Sequence, residues 1–198
     1  MSQEVVIGGG KRTPFGDFGK SLRDTPMSQL ATHAANAALM DAKVDPIDVD
    51  HLVWGNVLPV DPDGFYTGRV AALNVGMPEE SCALQVNRAC GSGTQAIITA
   101  AQQIMTGHSK IALAGGGENF SRGGFVNQKM RWGAIRGAQP FEDSVEWAYN
   151  DPFGHGLMGV TGENLADDFQ YLREDMDKWG EMSQQRAAVA MQSGFLAK

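Results

Sequence analysis

No run of apolar residues in this chain approaches the roughly 20 that a membrane-spanning helix needs, which argues against a membrane protein. Positive charge is scarce. Sixteen lysines and arginines face 23 aspartates and glutamates, giving a net charge of −7 and a pI near 5.0. That balance argues against a nucleic-acid surface and against a polybasic patch for anionic lipid, while leaving room for a local cationic pocket around a small anion. Cysteine is scarce too. Cys82 and Cys90 sit on one strand–turn segment, whose extended backbone holds them too far apart to bridge. Both read as reduced thiols of a cytoplasmic protein. Met1-Ser2-Gln3-Glu4 runs directly into a strand-like stretch, leaving no room for a signal or transit peptide. Gly8-Gly9-Gly10 lacks the G-x-G-x-x-G spacing of dinucleotide binding, and Pro14 interrupts the place where the helix would begin.

Glycine is plentiful, at 25 residues against an average usage of about 7%. It follows no period, so collagen-like and repeat architectures are excluded. The glycines cluster at strand ends, as in an α/β enzyme with tight turns. The chain is long enough, and apolar enough at 42%, to bury a substantial core.

The organising stretch is Gln85 to Ile98. The apolar run Cys82-Ala83-Leu84-Gln85-Val86 reads as a strand. Ile97, Ala101, Ile104 and Met105 fall on one face at helical spacing, so a helix is predicted over 91–107. Between them lies a sharp turn of small residues with Cys90 at its apex. A cysteine at a helix start faces unpaired backbone N–H groups and the positive end of the helix dipole. Both favour the thiolate, which is the nucleophilic form. The blander alternative is a small buried residue at a tight junction, since free cysteine is among the most buried residue types. The strand–turn–helix setting also fits a nucleophile presented on an elbow, and the residues alone leave both readings open.

Around this stretch the pattern alternates. Val5–Ile7 reads as a first strand. Thr25-Pro26 reads as a helix cap and first turn, leading into an apolar face of Met27, Leu30, Ala31, Ala34 and Ala38 on a helix over 27–43. His33, on that helix, reads as structural or exposed. Strands follow within 49–58 and 111–119. Residues 120–160 form a long irregular stretch whose aromatics argue against disorder. Within it Lys129, Arg131 and Arg136 read as a solvated basic face rather than a phosphate site.

Val86-Asn87-Arg88-Ala89-Cys90-Gly91-Ser92-Gly93, followed by an apolar helix, resembles the acyl-intermediate signature of the thiolases. Arg12-Thr13-Pro14-Phe15-Gly16, Gly55-Asn56-Val57-Leu58, Ala114-Gly115-Gly116 with Glu118 and Ser121, and Met158-Gly159 with Thr161, Glu163 and Asn164 are similar to further segments of that family. So is Ser183-Gln184-Gln185-Arg186-Ala187. The loop Asp61 to Gly68 departs from the commoner thiolase pattern, and Leu157 stands where many biosynthetic members have histidine. His155, two residues earlier, takes no role by position.

The resemblance implies a thiolase-like α/β fold: a mixed sheet with helices on both faces, one βαβαβαββ half, and an inserted loop domain. It implies an N-terminal half-domain over 1–119, an incomplete loop domain over 120–198, and a C-terminal half-domain absent from this chain. It implies reversible Claisen condensation of acetyl-CoA, or thiolysis of 3-ketoacyl-CoA, in fatty acid metabolism. Cys90 would be the acylated nucleophile and Met158 would help line the acyl pocket. Coenzyme A would be a substrate rather than a bound cofactor, with no metal. The partners implied are acyl-CoA and CoA, and either a homo-oligomer or a complementary C-terminal half-chain; neither nucleic acid nor membrane is among them. Cys82, on the incoming strand, reads as a packed core residue, and the second-half motifs are absent, so residues 1–198 are not expected to turn over alone. Two alternatives remain: a ketoacyl-synthase-like condensing enzyme, and a non-catalytic CoA-binding half-subunit.

Overall fold

The computed structural model describes residues 4–195. Met1–Gln3, read above as the start of the chain, and Leu196–Lys198, at its end, lie outside them. The chain divides into two compact units, one over 1–148 and one over 149–198.

The first unit is built on a short parallel sheet. Helix α1 spans Met27–Ala42, strand β1 His51–Gly55, helix α2 Thr67–Asn74, strand β2 Cys82–Val86, helix α3 Ser92–Met105 and strand β3 Ala112–Gly116. The strand order is β2-β1-β3. His51 stands opposite Cys82 on one side and Ala112 on the other, and Gly55 opposite Val86 and Gly116. Central β1 is buried from Leu52 to Gly55, the continuous apolar run expected of a parallel strand covered on both faces. Leu52 and Trp54 pack with Met27, Ala31, Ala35 and Leu39 of α1 and Ala71 and Ala72 of α2. On the opposite face Val53 packs with Ala96 and Ala100 of α3. Helices therefore cover both faces, with alanines allowing close approach to the strands.

Several expectations are corrected. Val5–Ile7 forms no strand, and Val6 and Ile7 are exposed; a strand needs a hydrogen-bonded neighbour, and none of the described strands pairs with this stretch. Thr25 does not cap α1. The first helical N–H, that of Met27, donates instead to Asp61 Oδ2 at 3.1 Å, from a loop 34 residues on in sequence. The buried face of α3 is the alanine face, while Ile97 and Met105 are exposed. Cys82 is exposed rather than packed in the core, because β2 is an edge strand whose Cys82 and Leu84 face outward. His33 is exposed, in line with its reading.

Beyond β3 the first unit carries a small antiparallel pair, β4 (Phe125–Val126) and β5 (Glu142–Asp143), and the start of α4 (Ser144–Tyr149). Phe125, Trp132 and Phe141 are exposed, so these rings form no core of their own. Lys129, Arg131 and Arg136 are exposed as well.

The second unit holds a tight antiparallel hairpin of β6 (Asn150–Asp151) and β7 (Gly156–Leu157), then α5 (Met158–Phe169) and α6 (Arg173–Gln192). Asp151 Oδ2 accepts from the N–H groups of Phe153 and His155 across the hairpin turn. Glu174 and Asp175 lie in the first turn of α6, where negative charge favours the helix. Ala166 of α5 is the one buried apolar residue among the described residues of this unit. No helix among them is long and apolar enough to cross a membrane.

Candidate active site

In parallel α/β sheets, ligands bind outside the carboxyl ends of the strands. Three segments leave the sheet at that edge: Asn56-Val57-Leu58 after β1, Asn87 to Gly91 after β2, and Gly117-Glu118 after β3.

The middle segment carries Cys90. Its turn is held by local hydrogen bonds. Asn87 Oδ1 accepts from Ala89 N at 3.0 Å. Ser92 Oγ accepts from Arg88 N at 2.8 Å and donates to Ala89 O at 2.7 Å. Gly91 N and Ser92 N donate back to Arg88 O and Ala89 O. This winding forces Ala89 to a φ of 47°, a left-handed conformation that side-chain-bearing residues seldom adopt and that costs of order 1–3 kcal/mol. The next residue, Cys90, is exposed at the mouth of the turn. Helix α3 begins two residues later, its first turn uncapped by any side chain. An accessible thiol at the start of a helix is the arrangement a cysteine nucleophile needs.

Two glycines press this turn onto the sheet. A Cβ at Gly55 would come within 2.6 Å of the Ser92 carbonyl carbon and oxygen and 2.9 Å of Gly93 N. One at Gly116 would meet Gly55 O at 2.9 Å and Gly93 Cα at 3.2 Å. The ends of β1 and β3 are thus bare so that the first turn of α3 can lie directly on them.

A polar cluster binds the three segments together. Buried Asn56 donates through Nδ2 to Gly117 O at 3.2 Å and to the Glu118 carboxylate, and accepts from Gln85 Nε2 at 3.3 Å. Glu118 Oε1 also accepts from Val57 N at 2.9 Å and Leu58 N at 3.0 Å. Burial pushes the Glu118 carboxyl above its usual range, against the opposing pull of these hydrogen bonds. Asn87 Nδ2 reaches Val57 O at 3.3 Å.

Of the two site residues read from sequence, Cys90 lies on this edge of the first unit. Met158 opens α5 in the second unit and is half exposed, at 49%. Sequence reasoning assigned no role to Asn56, Asn87 and Glu118. A signal existed in Gln85, a polar residue interrupting an apolar strand, which is how a buried polar network announces itself. Among the described residues no cluster of His, Cys, Asp or Glu could hold a metal ion.

Comparison with known proteins bears on this geometry. The family model for the thiolase N-terminal domain matches residues 5–198. The chain is 42% identical over 195 residues to the beta-ketothiolase BktB of Cupriavidus necator, covering 98% of this chain and 50% of that protein. It is 38% identical over 192 residues to the mitochondrial 3-ketoacyl-CoA thiolase of Homo sapiens, covering 96% and 48%. Among solved structures, the human mitochondrial 3-ketoacyl-CoA thiolase in complex with CoA superposes with a TM-score of 0.91 at 37% identity, over 96% of this chain and 48% of that one. The acetyl-CoA acetyltransferase of Bacillus anthracis gives a TM-score of 0.91 at 34% identity, over 98% and 49%. The chain spans about half the length of the curated relatives it matches.

Proposed function

The chain belongs to the thiolase family, and on that footing we propose that it is part of an acetyl-CoA acyltransferase in which Cys90 carries the acyl group. The observation that carries the proposal is the Cys90 turn: an exposed thiol, presented by a left-handed Ala89 at the carboxyl edge of a parallel sheet, beside an uncapped helix start. The Cys90 sulfur attacks the thioester carbonyl carbon, the new S–C bond forms, and the CoA sulfur leaves and takes up a proton. One backbone N–H of this segment stabilises the oxyanion on the way. The S-acyl enzyme then passes its acyl group to the α-carbon of a second acetyl-CoA: the C–C bond forms, that carbon gives up a proton, and the Cys90 sulfur leaves and is reprotonated. In the thiolytic direction the acyl group passes to the CoA sulfur, whose proton ends on Cys90. Residues 1–119 form the half-domain that supplies the nucleophile, and residues 120–198 belong to a loop domain in which Met158 contacts the acyl chain. Fatty acid metabolism is the setting, coenzyme A is substrate rather than cofactor, and the protein is cytoplasmic. A second copy or a complementary chain completes the assembly; the exposure of Ile97 and Ile98 on α3 supports this.

The test is intact-mass analysis after mixing with acetyl-CoA, with peptide mapping of the acetylated residue. One acetyl group on Cys90, absent from Cys90→Ser, is expected. Acetylation elsewhere, or none, overturns the assignment of the nucleophile.

A further inference from the structure

The polar cluster at the sheet edge contains a charge that the chemistry above does not use. Glu118 is a half-buried carboxylate, and among the described residues no ion pair includes it. Its three hydrogen-bond donors, Asn56 Nδ2, Val57 N and Leu58 N, are all neutral and all meet the same oxygen, Oε1. A neutral amide at this position would accept the same bonds with less desolvation, so the charge is not there for stability alone. What an ionised acceptor adds is strength, since hydrogen bonds to a carboxylate are about twice as strong as neutral ones. The backbone at 57–58 is therefore held more rigidly than its length of loop would suggest.

That rigidity has a destination. Val57 N is fixed by Glu118, and Val57 O accepts from Asn87 Nδ2 at 3.3 Å. Asn87 Oδ1 in turn accepts from Ala89 N at 3.0 Å. Ala89 is the left-handed residue at φ 47°, and Cys90 follows it. Such a conformation persists only where its surroundings over-determine it. We infer that Glu118 is a positioning residue for the nucleophile, acting through the Val57 backbone and the Asn87 side chain to hold the strained Ala89 that presents Cys90. This rests on the reading of Cys90 as the acylated residue. Glu118 touches no substrate in this scheme; it sets where the sulfur sits.

A purely structural staple between the ends of β1 and β3 would use the same contacts at Glu118, and a double-mutant cycle separates the two roles. The variants are Glu118→Gln, Asn87→Ala and both together, in the full chain. The readouts are the rate of Cys90 acetylation by acetyl-CoA, the exchange protection of the Ala89 amide and the melting temperature. Asn87 is exposed and its replacement leaves the core intact. Glu118→Gln should slow acetylation about tenfold, the scale of a sub-ångström misplacement of a reacting group. Asn87→Ala should slow it at least as much. The double variant should be no slower than Asn87→Ala alone, because the connection is already cut. Effects that multiply in the double variant, or a wild-type rate in Glu118→Gln, would overturn the inference. Glu118→Asp, which keeps the charge and shortens the reach, substitutes in the cycle if the glutamine variant fails to fold. If wild-type Cys90 takes no acetyl group, the nucleophile assignment falls, and the amide readout still decides the connection. Faster exchange at Ala89 in Glu118→Gln upholds it, and unchanged exchange refutes it.

Discussion

Gly55, the last residue of β1, lies so close to Ser92, the first residue of α3, that a single methyl group at position 55 would sit 2.6 Å from the Ser92 carbonyl. Neither backbone can yield easily, one being the central strand and the other the helix start. Gly55→Ala should therefore lower stability by about 1–3 kcal/mol, the range for overpacking a filled site. It should also displace the Cys90 turn and slow its acetylation. Gly93→Ala is the control, since a Cβ there meets nothing within 4 Å. Thermal melts of the two variants check this. Equal melting temperatures would mean that the strand end and the helix are less tightly apposed than the structure shows.

Exposure does not distinguish the two thiols, because Cys82 and Cys90 are both exposed. Their surroundings do. Cys90 adjoins an uncapped helix start, and Cys82 opens an edge strand. Iodoacetamide should therefore modify Cys90 several-fold faster than Cys82 in the native protein. Mass mapping over time gives both rates. Equal rates would remove the case for an activated sulfur.

Asp61 is a second point where distant segments are joined. Its side chain, 3% exposed, accepts from Met27 N at the head of α1 and pairs with Arg122. Asp61→Ala removes a helix cap and strands a partly buried guanidinium, a loss of about 3 kcal/mol. Asp61→Asn keeps the capping oxygen and should lose less. Denaturant melts of both variants rank the two effects, and an alanine variant as stable as the wild type would refute them.

The pH dependence follows from Glu118. Burial raises its carboxyl above the ordinary glutamate value of 4.5, and its hydrogen bonds only partly offset this. Between 4.5 and the raised value the folded chain holds a proton that the unfolded chain has released. Stability from this group is thus fully present below 4.5 and lost as pH rises through the folded value. Glu118→Gln carries no such proton. The melting temperature of the wild type relative to this variant should fall as pH climbs from acid to neutral. A relative rise would show that hydrogen bonding to the charged form outweighs its desolvation.

Met158, the half-exposed first residue of α5, is the proposed acyl contact. Met158→Ala should change the ratio of kcat/KM between short and longer acyl-CoA substrates, by roughly the 10-fold or more that a few methylenes carry. An unchanged ratio would leave Met158 as a surface residue of the helix start.

Much of this architecture was legible in the residue order. The strand at Cys82–Val86, the turn at Cys90 and the helix after it follow from local periodicity and small residues, and the structure places them within two residues of expectation. Val5–Ile7 has the same local character and is no strand, because a strand is a property of a pair and the residues that would pair with it are not local. The buried face of α3 differs from its apolar stripe for a related reason. Periodicity finds an apolar stripe, but a helix lying directly on a sheet buries its smallest residues, here Ala96 and Ala100, and leaves Ile97 outside.

By itself the sequence determined the local setting of Cys90. A cysteine among glycine and serine, between an apolar strand and an apolar helix, specifies a sharp turn at a helix start through short-range sterics and hydrogen bonding. Tertiary structure alone decided what holds that thiol in place. Asn56, Asn87 and Glu118 lie on three separate connections, and Gly55 and Gly116 on two strands, so nothing in their local order reveals that they meet. Parallel strands bring their carboxyl ends to one edge only when the intervening helices cross back over the sheet. The hydrogen bonds that then form there join residues about 30 to 60 positions apart.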